Sequence, residues 1–287
     1  MVDLHTHSNK SDGELSPSEL METAYKNGVT VISLTDHDTV SGNAEAERKC
    51  IELGMKFITG IEISTDEFKD LHILGYGIDI NNTELLEKCE LFKKSRIGRV
   101  KAVIELLAKH DVFITEEDVF RFSGNGVVAR PHFAQAMIEK GYVSSTKQAF
   151  EEYLATPEFH KIKRYKASFR EAIDLIHHAG GLAVMAHPYQ LKKSDSELES
   201  LISELKQIGL DGIECYYSRH TPEMFRYYRS LADKYNLYIS IGSDYHGKTV
   251  KPDISLGRGF ANSLIELNKI QSFNEDERNI LKKLCTC

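Results

Sequence analysis

Seven short runs of apolar and β-branched residues, separated mostly by amphipathic helical segments, constrain the fold of this chain most strongly. We predict strands over residues 2–6, 29–34, 56–64, 71–77, 182–186, 212–217 and 238–242. The intervening helices have clear start signals, such as Pro17 after Ser16 and Pro222 after Thr221, because proline fits the first helical turn. Parallel strands joined by helices need both faces of their sheet covered. The pattern therefore predicts an α/β fold, a distorted seven-stranded (β/α) barrel with helices outside.

The alternation of strands and helices breaks once, between the fourth and fifth strands. Residues 84–165 resemble one helix after another, and such a stretch is too long for a loop in a compact domain. We therefore predict a barrel from residues 1–83 and 166–287, with a helical insertion over 84–165 that forms a substrate lid. The basic run HKIKRYK at 160–166 is expected to be a solvated link back to the barrel; the alternative is a rim that guides an anionic substrate.

Composition limits the partners of this chain. Its 287 residues carry a formal net charge of −7, which argues against a broad surface for long nucleic acids, since such a surface needs a basic face. A small phosphorylated ligand remains compatible. No apolar run approaches the length of a membrane span, so we expect a cytoplasmic protein. The five cysteines form no CxxC pair and are expected to be reduced; Cys285 and Cys287 could bind metal adventitiously.

Histidines and carboxylates recur where the predicted strands end. His5 and His7 are two residues apart, so they share one face of a strand. Catalytic side chains in (β/α) barrels project from the carboxyl ends of the strands. The candidate metal ligands are His5, His7, Asp12, His37, Glu62, His72, His187, Asp244 and His246. His72 begins its strand instead, so it fits only if that strand is antiparallel to the strand of Glu62.

The kind and number of these candidate ligands limit which metal ions could bind, and how many. Imidazole and carboxylate without thiolate suit Zn²⁺, Mn²⁺ or Fe. Nine groups are too many for one ion, so we predict two or three divalent ions, with Glu62 as the natural bridge between two of them. Asp36 and Asp38 flank His37 and are expected to orient it or to cap the next helix.

Four motifs resemble those of the polymerase and histidinol phosphatase (PHP) domain family. They are HTHSNKSDG at His5, LTDHDT at Thr35, AHP at His187 and GSDYHG at Ser243. The resemblance covers about residues 1–80 and 170–260, and it implies a metal-dependent phosphoesterase on a distorted seven-stranded barrel. It also implies that all nine candidate ligands bind metal, with no position missing.

Within this family, the helical insertion resembles that of small enzymes that dephosphorylate nucleoside bisphosphates or trim short RNA from a 5′-phosphate end. The matching segments are VARPHFAQAMIEKGYV from Val128 and IECYYSRHTPE from Ile213. This resemblance implies that Arg130 and His220 contact the substrate phosphate. A guanidinium at a helix start independently suits a phosphate. The alternatives are a solvated arginine at a helix cap and a surface histidine that caps the helix after Thr221.

We therefore expect an enzyme that hydrolyses a terminal phosphate ester of a nucleotide by attack of a metal-bridging hydroxide. The expected substrate is a 3′,5′-bisphosphonucleoside or a short 5′-phosphorylated oligonucleotide. Arg130 would stabilise the phosphoryl group and His220 could protonate the leaving group. The alternatives are a histidinol-phosphate phosphatase, a non-catalytic polymerase-associated module that binds metal and nucleic acid, and a metal-dependent amidohydrolase. The oligomeric state is not predicted.

Overall fold

A computed structural model describes residues 1–68, 71–259, 263–264 and 278–284. Seven strands form one sheet in chain order. They are β1 Val2–Asp3, β2 Val31–Leu34, β3 Lys56–Ser64, β4 His72–Tyr76, β5 Leu182–Met185, β6 Gly212–Tyr217 and β7 Tyr238–Gly242. Two further short strands, β8 Arg258–Gly259 and β9 Ser263–Leu264, pair with each other. All seven predicted strands are present, although β1 is shorter than predicted.

The sheet closes into a barrel. Neighbouring strands are parallel except β4, which is antiparallel to both β3 and β5. After β1 the chain turns toward β7, where the Leu4 N–H donates to the Ile241 carbonyl at 3.0 Å and the Asp244 N–H donates to the His5 carbonyl at 2.8 Å. These bonds join the first strand to the last, so the prediction of a distorted seven-stranded barrel is confirmed.

The outer helices begin where the sequence signals indicate. They are α1 Pro17–Lys26, α2 Asn43–Leu53, α9 Phe169–His178, α10 Asp195–Gln207, α11 Pro222–Tyr235 and the short α12 Ile280–Leu284. The side chains of Ser16 and Thr221 accept hydrogen bonds from the first turns of α1 and α11, and this satisfies backbone donors that would otherwise have no partner. The helices pack against the outside of the barrel, for example α9 against β4 and β5, and α11 against β6 and β7.

The insertion between β4 and β5 has a hydrophobic core of its own. Its helices are α3 Thr83–Gly98, α4 Val100–Ala108, α5 Glu116–Ser123, α6 Arg130–Glu139, α7 Thr146–Ala149, a π-helical turn Phe150–Leu154 and α8 Pro157–Lys161. Buried residues from Val100 to Phe159 form one cluster, whereas Leu85, Cys89 and Phe92 of α3 belong to the cluster of the barrel. Helix α3 therefore connects the insertion to the barrel.

None of the described helices combines the length and apolar character needed to cross a bilayer. The described cysteines Cys50, Cys89 and Cys215 are buried, and no disulfide is formed among them. Cys285 and Cys287, for which adventitious metal binding was the alternative to reduced thiols, lie outside the described residues.

Candidate metal centre

All nine candidate ligands lie together at the end of the barrel where its parallel strands stop. The side chains of His37 and His72 are 14% and 16% exposed, and the other seven residues are buried. His72 reaches the same pocket because β4 is antiparallel to β3, with His72 opposite Ser64. The prediction that His72 fits only if its strand is antiparallel to the strand of Glu62 is therefore consistent with the structure.

Glu62 occupies the middle of this pocket. Its Oε2 lies 3.2 Å from His5 Nε2, 3.1 Å from His7 Nε2 and 3.0 Å from His37 Nδ1. Its Oε1 lies 2.8 Å from His72 Nδ1 and 2.9 Å from His187 Nε2. Ligand atoms bound at ~2.0 to 2.2 Å to one ion are separated by about 3 Å, so each oxygen of Glu62 has the surroundings of a metal ligand.

A second part of the pocket is built around Asp12 and His246. His246 Nε2 lies 3.3 Å from Asp12 Oδ1. Asp244 Oδ1 is 3.3 Å from both His246 Nδ1 and His7 Nε2. Ligand atoms of His7, Asp12, His37 and His246 all lie within 4.8 Å of one another, and so do those of two further groups that contain Glu62. These overlapping groups suit adjacent ions that share ligands.

Unpartnered buried atoms support the same assignment. His5 Nε2, both ring nitrogens of His7, His37 Nδ1 and Glu62 Oε2 are buried without a hydrogen bond in the described structure. Buried polar atoms seldom lack a partner, and here several converge on one small space. A set of imidazole and carboxylate groups with this geometry fits divalent transition-metal ions.

The charges in the pocket are strongly coupled. Burial alone would lower the pKa of His5, but the carboxylates of Glu214, Glu62 and Asp244 together raise it well above its ordinary value. Burial would likewise raise the pKa of Glu62, yet the surrounding histidines, led by His37, hold it well below its ordinary value. The carboxyl group of Glu62 is therefore ionised, as a metal ligand must be.

Glu214 is a functional candidate that the sequence reasoning missed. It is fully buried in β6, where Oε1 accepts a hydrogen bond from His5 Nδ1 at 3.0 Å and Oε2 accepts one from the His187 backbone N–H at 2.8 Å. A carboxylate that accepts a hydrogen bond from the second ring nitrogen of a metal-binding histidine fixes the ring orientation and the tautomer of that histidine. The sequence feature that could have identified Glu214 is an acidic residue inside the otherwise apolar strand GIECYY.

Asp244 is also oriented by hydrogen bonds to one of its two carboxylate oxygens. The Tyr217 hydroxyl donates to Asp244 Oδ2 at 2.7 Å, and Lys251 Nζ donates to the same oxygen at 2.6 Å. This leaves Oδ1 facing His7 and His246. Tyr217 thus orients a candidate ligand.

The expected roles of Asp36 and Asp38 are wrong. Asp36 accepts hydrogen bonds from the Ser8 N–H, from its hydroxyl and from the Ser11 hydroxyl, so it organises the loop before Asp12; burial raises its pKa to about 6. Asp38 pairs instead with arginines described below. Neither caps the next helix, because the N-cap of α2 is Gly42.

Three residues of the site have a left-handed backbone that is uncommon outside glycine. The φ angles are 57° at Asp38, 26° at His187 and 60° at Asp244. Such conformations persist only where surrounding contacts hold them. Packing is equally tight at Gly242, where an added Cβ would lie 2.2 Å from the Cβ of His5.

Arg130 is the first residue of α6 and is half-buried. Its guanidinium carbon lies 5.1 Å from the ring centre of Phe150, a cation–π distance, so a freely solvated helix cap does not describe it. Its contact with a substrate phosphate stays a prediction.

His220 is fully buried, so the alternative of a surface histidine is wrong. Its ring packs among Tyr217, Tyr189 and Tyr228, and Nδ1 donates to the Cys215 carbonyl at 3.0 Å. Burial lowers its pKa to about 3, so the ring is neutral. Nε2 is buried without a hydrogen bond, and its role toward substrate stays a prediction.

The basic run at 160–166 is not a solvated link throughout. The side chain of Arg164 is only 6% exposed and lies 3.3 Å from Asp38. Lys166 Nζ donates to the Thr65 carbonyl at 2.8 Å. The run therefore attaches to the barrel beside the candidate metal centre.

A barrel whose strand ends enclose nine candidate histidine and carboxylate ligands is the arrangement expected of a metal-dependent hydrolase. Residues 3–242 match the PHP domain family model. The chain belongs to the PHP domain family, and the predicted membership is confirmed.

Two curated relatives cover most of the chain. A protein of Haemophilus influenzae named 5′-3′ exoribonuclease is 36% identical over 245 residues, which are 85% of this chain and 89% of that protein. A 3′,5′-nucleoside bisphosphate phosphatase of Chromobacterium violaceum is 31% identical over 247 residues, 85% of this chain and 87% of that protein. Both names describe hydrolysis of phosphate esters.

Two solved structures share the fold. One from Chromobacterium violaceum, named an amidohydrolase and containing sulfate but no metal, has a TM-score of 0.85 at 28% identity and covers 99% of this chain and 96% of that one. One from Bifidobacterium adolescentis, assigned as a metal-dependent phosphoesterase, has a TM-score of 0.80 at 28% identity with 94% of each chain covered. The prediction of a metal-dependent enzyme acting on phosphate esters is confirmed.

Proposed function

We propose that this protein hydrolyses the phosphate ester of a nucleotide, either a 3′,5′-bisphosphonucleoside or a short 5′-phosphorylated oligonucleotide. The observation that carries the proposal is Glu62, whose two oxygens lie within 3.2 Å of nitrogens from five histidines. The names of the relatives support the nucleotide as substrate class.

The nine ligands would hold two or three divalent ions, and we propose Mn²⁺, Zn²⁺ or Fe because the donor set contains imidazole and carboxylate without thiolate. When bound, such ions supply a nucleophilic water at neutral pH and neutralise oxygens of the phosphoryl group. Glu62 would hold metal through both carboxylate oxygens, because each of its oxygens faces a different set of histidines.

The residues of the chain would bind and orient the substrate. Arg130 would hold outer oxygens of the phosphoryl group, because a guanidinium offers two parallel N–H donors to such a group. His220 is neutral as placed. We propose that an entering phosphate raises its pKa by adding a nearby negative charge, after which its Nε2–H would donate to the phosphate or to the leaving oxygen.

The test is phosphate and nucleotide release from the chelator-stripped protein reloaded with Mn²⁺. The substrate panel contains a 3′,5′-bisphosphonucleoside, a 5′-phosphorylated dinucleotide and histidinol phosphate. We expect turnover of one or both nucleotides, and His7→Ala is expected to lose turnover by orders of magnitude because one candidate ligand is gone. His178→Ala is the control, since His178 is exposed and pairs with Glu84.

Turnover of histidinol phosphate alone would contradict the proposed substrate and favour the histidinol-phosphate alternative. Full activity of the stripped protein in excess chelator would contradict the metal-dependent reaction. Circular dichroism of His7→Ala would show whether lost turnover reflects lost folding.

A further inference from the structure

The loop that carries the candidate ligand Asp12 is held between two parts of the fold. On the barrel side, Asp36 accepts hydrogen bonds from the N–H and hydroxyl of Ser8 and from the Ser11 hydroxyl. On the other side lie residues 126–132 of the insertion, which lead into α6 and form its first turn. We call these residues the 126–132 segment. The position of Asp12 therefore depends on the insertion as well as on the barrel.

At its start, the 126–132 segment contacts the Asp12 loop backbone against backbone. The Val127 N–H donates to the Lys10 carbonyl at 2.8 Å. Gly126 lies so close to this loop that an added Cβ would be 2.5 Å from the Asn9 carbonyl oxygen and 2.9 Å from that of Lys10. Glycine permits such a close approach because it has no side chain. The two segments therefore leave no room for a larger residue between them.

At the other end of the segment, the buried side chain of His132 contacts the same loop. Its Nδ1 accepts a hydrogen bond from the Ala129 N–H at 3.0 Å, so Nε2 carries the proton in the neutral ring. Burial lowers the pKa of His132 to about 4, although the charge of Asp12 and a hydrogen bond to the Ser11 backbone act in the opposite direction. His132 is therefore neutral, and it connects the start of α6 to the residue before Asp12.

The 126–132 segment is also fixed to the rest of the insertion. Arg96 Nη1 of α3 donates to the Val128 carbonyl at 3.2 Å, and the Val128 side chain belongs to the apolar cluster of the insertion. Arg130, the proposed phosphate contact, is part of the same segment. A displacement of the insertion relative to the barrel would therefore move Arg130 and disturb the Asp12 loop together.

We propose that the 126–132 segment couples the position of the insertion to metal binding by Asp12, with His132 as a positioning residue. The inference rests on the metal centre of the proposed function and not on the identity of the substrate. The ligand group concerned is the one that contains His7, Asp12, His37 and His246. Coupling between two events is reciprocal, so metal held by Asp12 also stabilises the contact between the insertion and the barrel.

The first test uses His132→Asn, which separates the two hydrogen bonds of His132. In α5, the short side chain of Asp118 at the equivalent third helical position accepts a hydrogen bond from the Thr115 N–H at 2.7 Å. Asparagine can therefore keep the hydrogen bond to the Ala129 N–H that caps α6. Its side chain is too short to replace the ring nitrogen that contacts the Ser11 backbone.

For His132→Asn, we expect the affinity for the Mn²⁺ ion held by Asp12 to fall about tenfold to one-hundredfold, as for other groups that orient a metal ligand. Mass spectrometry measures the ions retained per chain after dialysis at a fixed free Mn²⁺ concentration. His110→Asn is the matched control, because His110 is an exposed histidine of the insertion that pairs with Glu158. This control should retain as much Mn²⁺ as the wild-type protein.

A second variant tests the backbone contact. Gly126→Ala should lose Mn²⁺ in the same way, because the added methyl group pushes the Asp12 loop away from the segment. Gly98→Ala is its control, since an added Cβ at Gly98 of α3 meets no atom within 4 Å. Circular dichroism of both alanine variants shows whether the helices of the insertion are retained.

Hydrogen exchange of the Val127 amide tests the coupling in the opposite direction. Removal of Mn²⁺ from the wild-type protein should speed this exchange about fivefold or more, the lower end of the usual range for coupled sites. In His132→Asn, the difference between the stripped and loaded states should be smaller. Equal exchange of the Val127 amide in stripped and loaded wild-type protein would overturn the inference.

Unchanged Mn²⁺ retention in both His132→Asn and Gly126→Ala would also overturn it. A lower Tm of stripped His132→Asn together with normal retention would show a structural role alone. These measurements do not use turnover, so they remain decisive if the wild-type protein binds Mn²⁺ but hydrolyses no nucleotide, which would contradict only the proposed substrate. Wild-type protein that retains no Mn²⁺ would contradict the proposed metal centre and this inference with it.

Discussion

At the residue scale, the candidate ligands depend on hydrogen bonds from groups that lie behind them. Glu214 accepts hydrogen bonds from His5 Nδ1 and from the His187 backbone, and therefore fixes two candidate ligands at once. Tyr217 performs a similar task for Asp244. Such supporting groups set the tautomer, direction and basicity of a ligand, so changing one alters metal binding while all nine ligands remain.

We expect Glu214→Gln to lower metal affinity about tenfold to one-hundredfold. The glutamine has the same size, but its amide cannot supply two negatively charged acceptors to His5 and His187. Metal content after dialysis, measured by mass spectrometry, should fall, and activity should recover in excess Mn²⁺. Glu199→Gln on the surface helix α10 is the matched control. Unchanged metal retention in Glu214→Gln would show that Glu214 has no supporting role.

At the element scale, a buried ion pair adds to the apolar contacts by which helix α3 joins the insertion to the barrel. Arg96 of α3 and Asp38 after β2 are both buried. Burial opposes ionisation of Asp38, but Arg96 and Arg164 hold the pKa of this carboxyl well below its ordinary value. Breaking a buried pair by removing one partner leaves an uncompensated charge and is strongly destabilising.

Arg96→Met should lower the free energy of unfolding by about 3 kcal/mol, the lower end of the range for a broken buried pair, because Arg164 still faces Asp38. Urea denaturation at pH 7 measures the change. The double variant with Asp38→Asn should lose less than the sum of the single variants, since the two groups interact directly. Strict additivity would contradict the pairing. Arg226→Met, in an exposed pair, should have little effect.

At the scale of the whole molecule, the candidate metal centre links distant parts of the chain. The candidate ligands come from the loops after β1, β2, β5 and β7 and from the β3–β4 pair, and β1 lies against β7 where the barrel closes. Metal bound to such a set stabilises the folded state alone, because the unfolded chain does not hold these ligands together.

Removal of metal should therefore lower Tm by about 5 to 10 °C, the change expected for ~3 kcal/mol in a domain of this size. Differential scanning calorimetry with and without chelator measures it, and added Mn²⁺ should restore the original Tm. His7→Ala should show a much smaller shift. Equal Tm values for stripped and loaded wild-type protein would contradict metal binding at this set of residues.

Much of the fold and of the candidate centre could be predicted because both follow from local patterns. Buried parallel strands are continuous apolar runs, so all seven strands of the barrel could be predicted from the sequence. Functional side chains in such a barrel follow the strand ends, so the candidate ligands could be predicted as well. The shortening of β1 was not predictable, because it depends on contacts with the distant β7, where the Leu4 N–H donates to the Ile241 carbonyl.

The sequence by itself determined the barrel, the family and the nine candidate ligands, since each is written in short segments with a characteristic spacing. Only the tertiary structure decided which groups support them. His5 and Glu214 are 209 residues apart, and Asp38 and Arg96 are 58 apart, so no local pattern records their pairing. The burial of His220 and the convergence of Arg96 and Arg164 on Asp38 also depend on contacts between distant segments. Barrel closure and the docking of α3 create these neighbours.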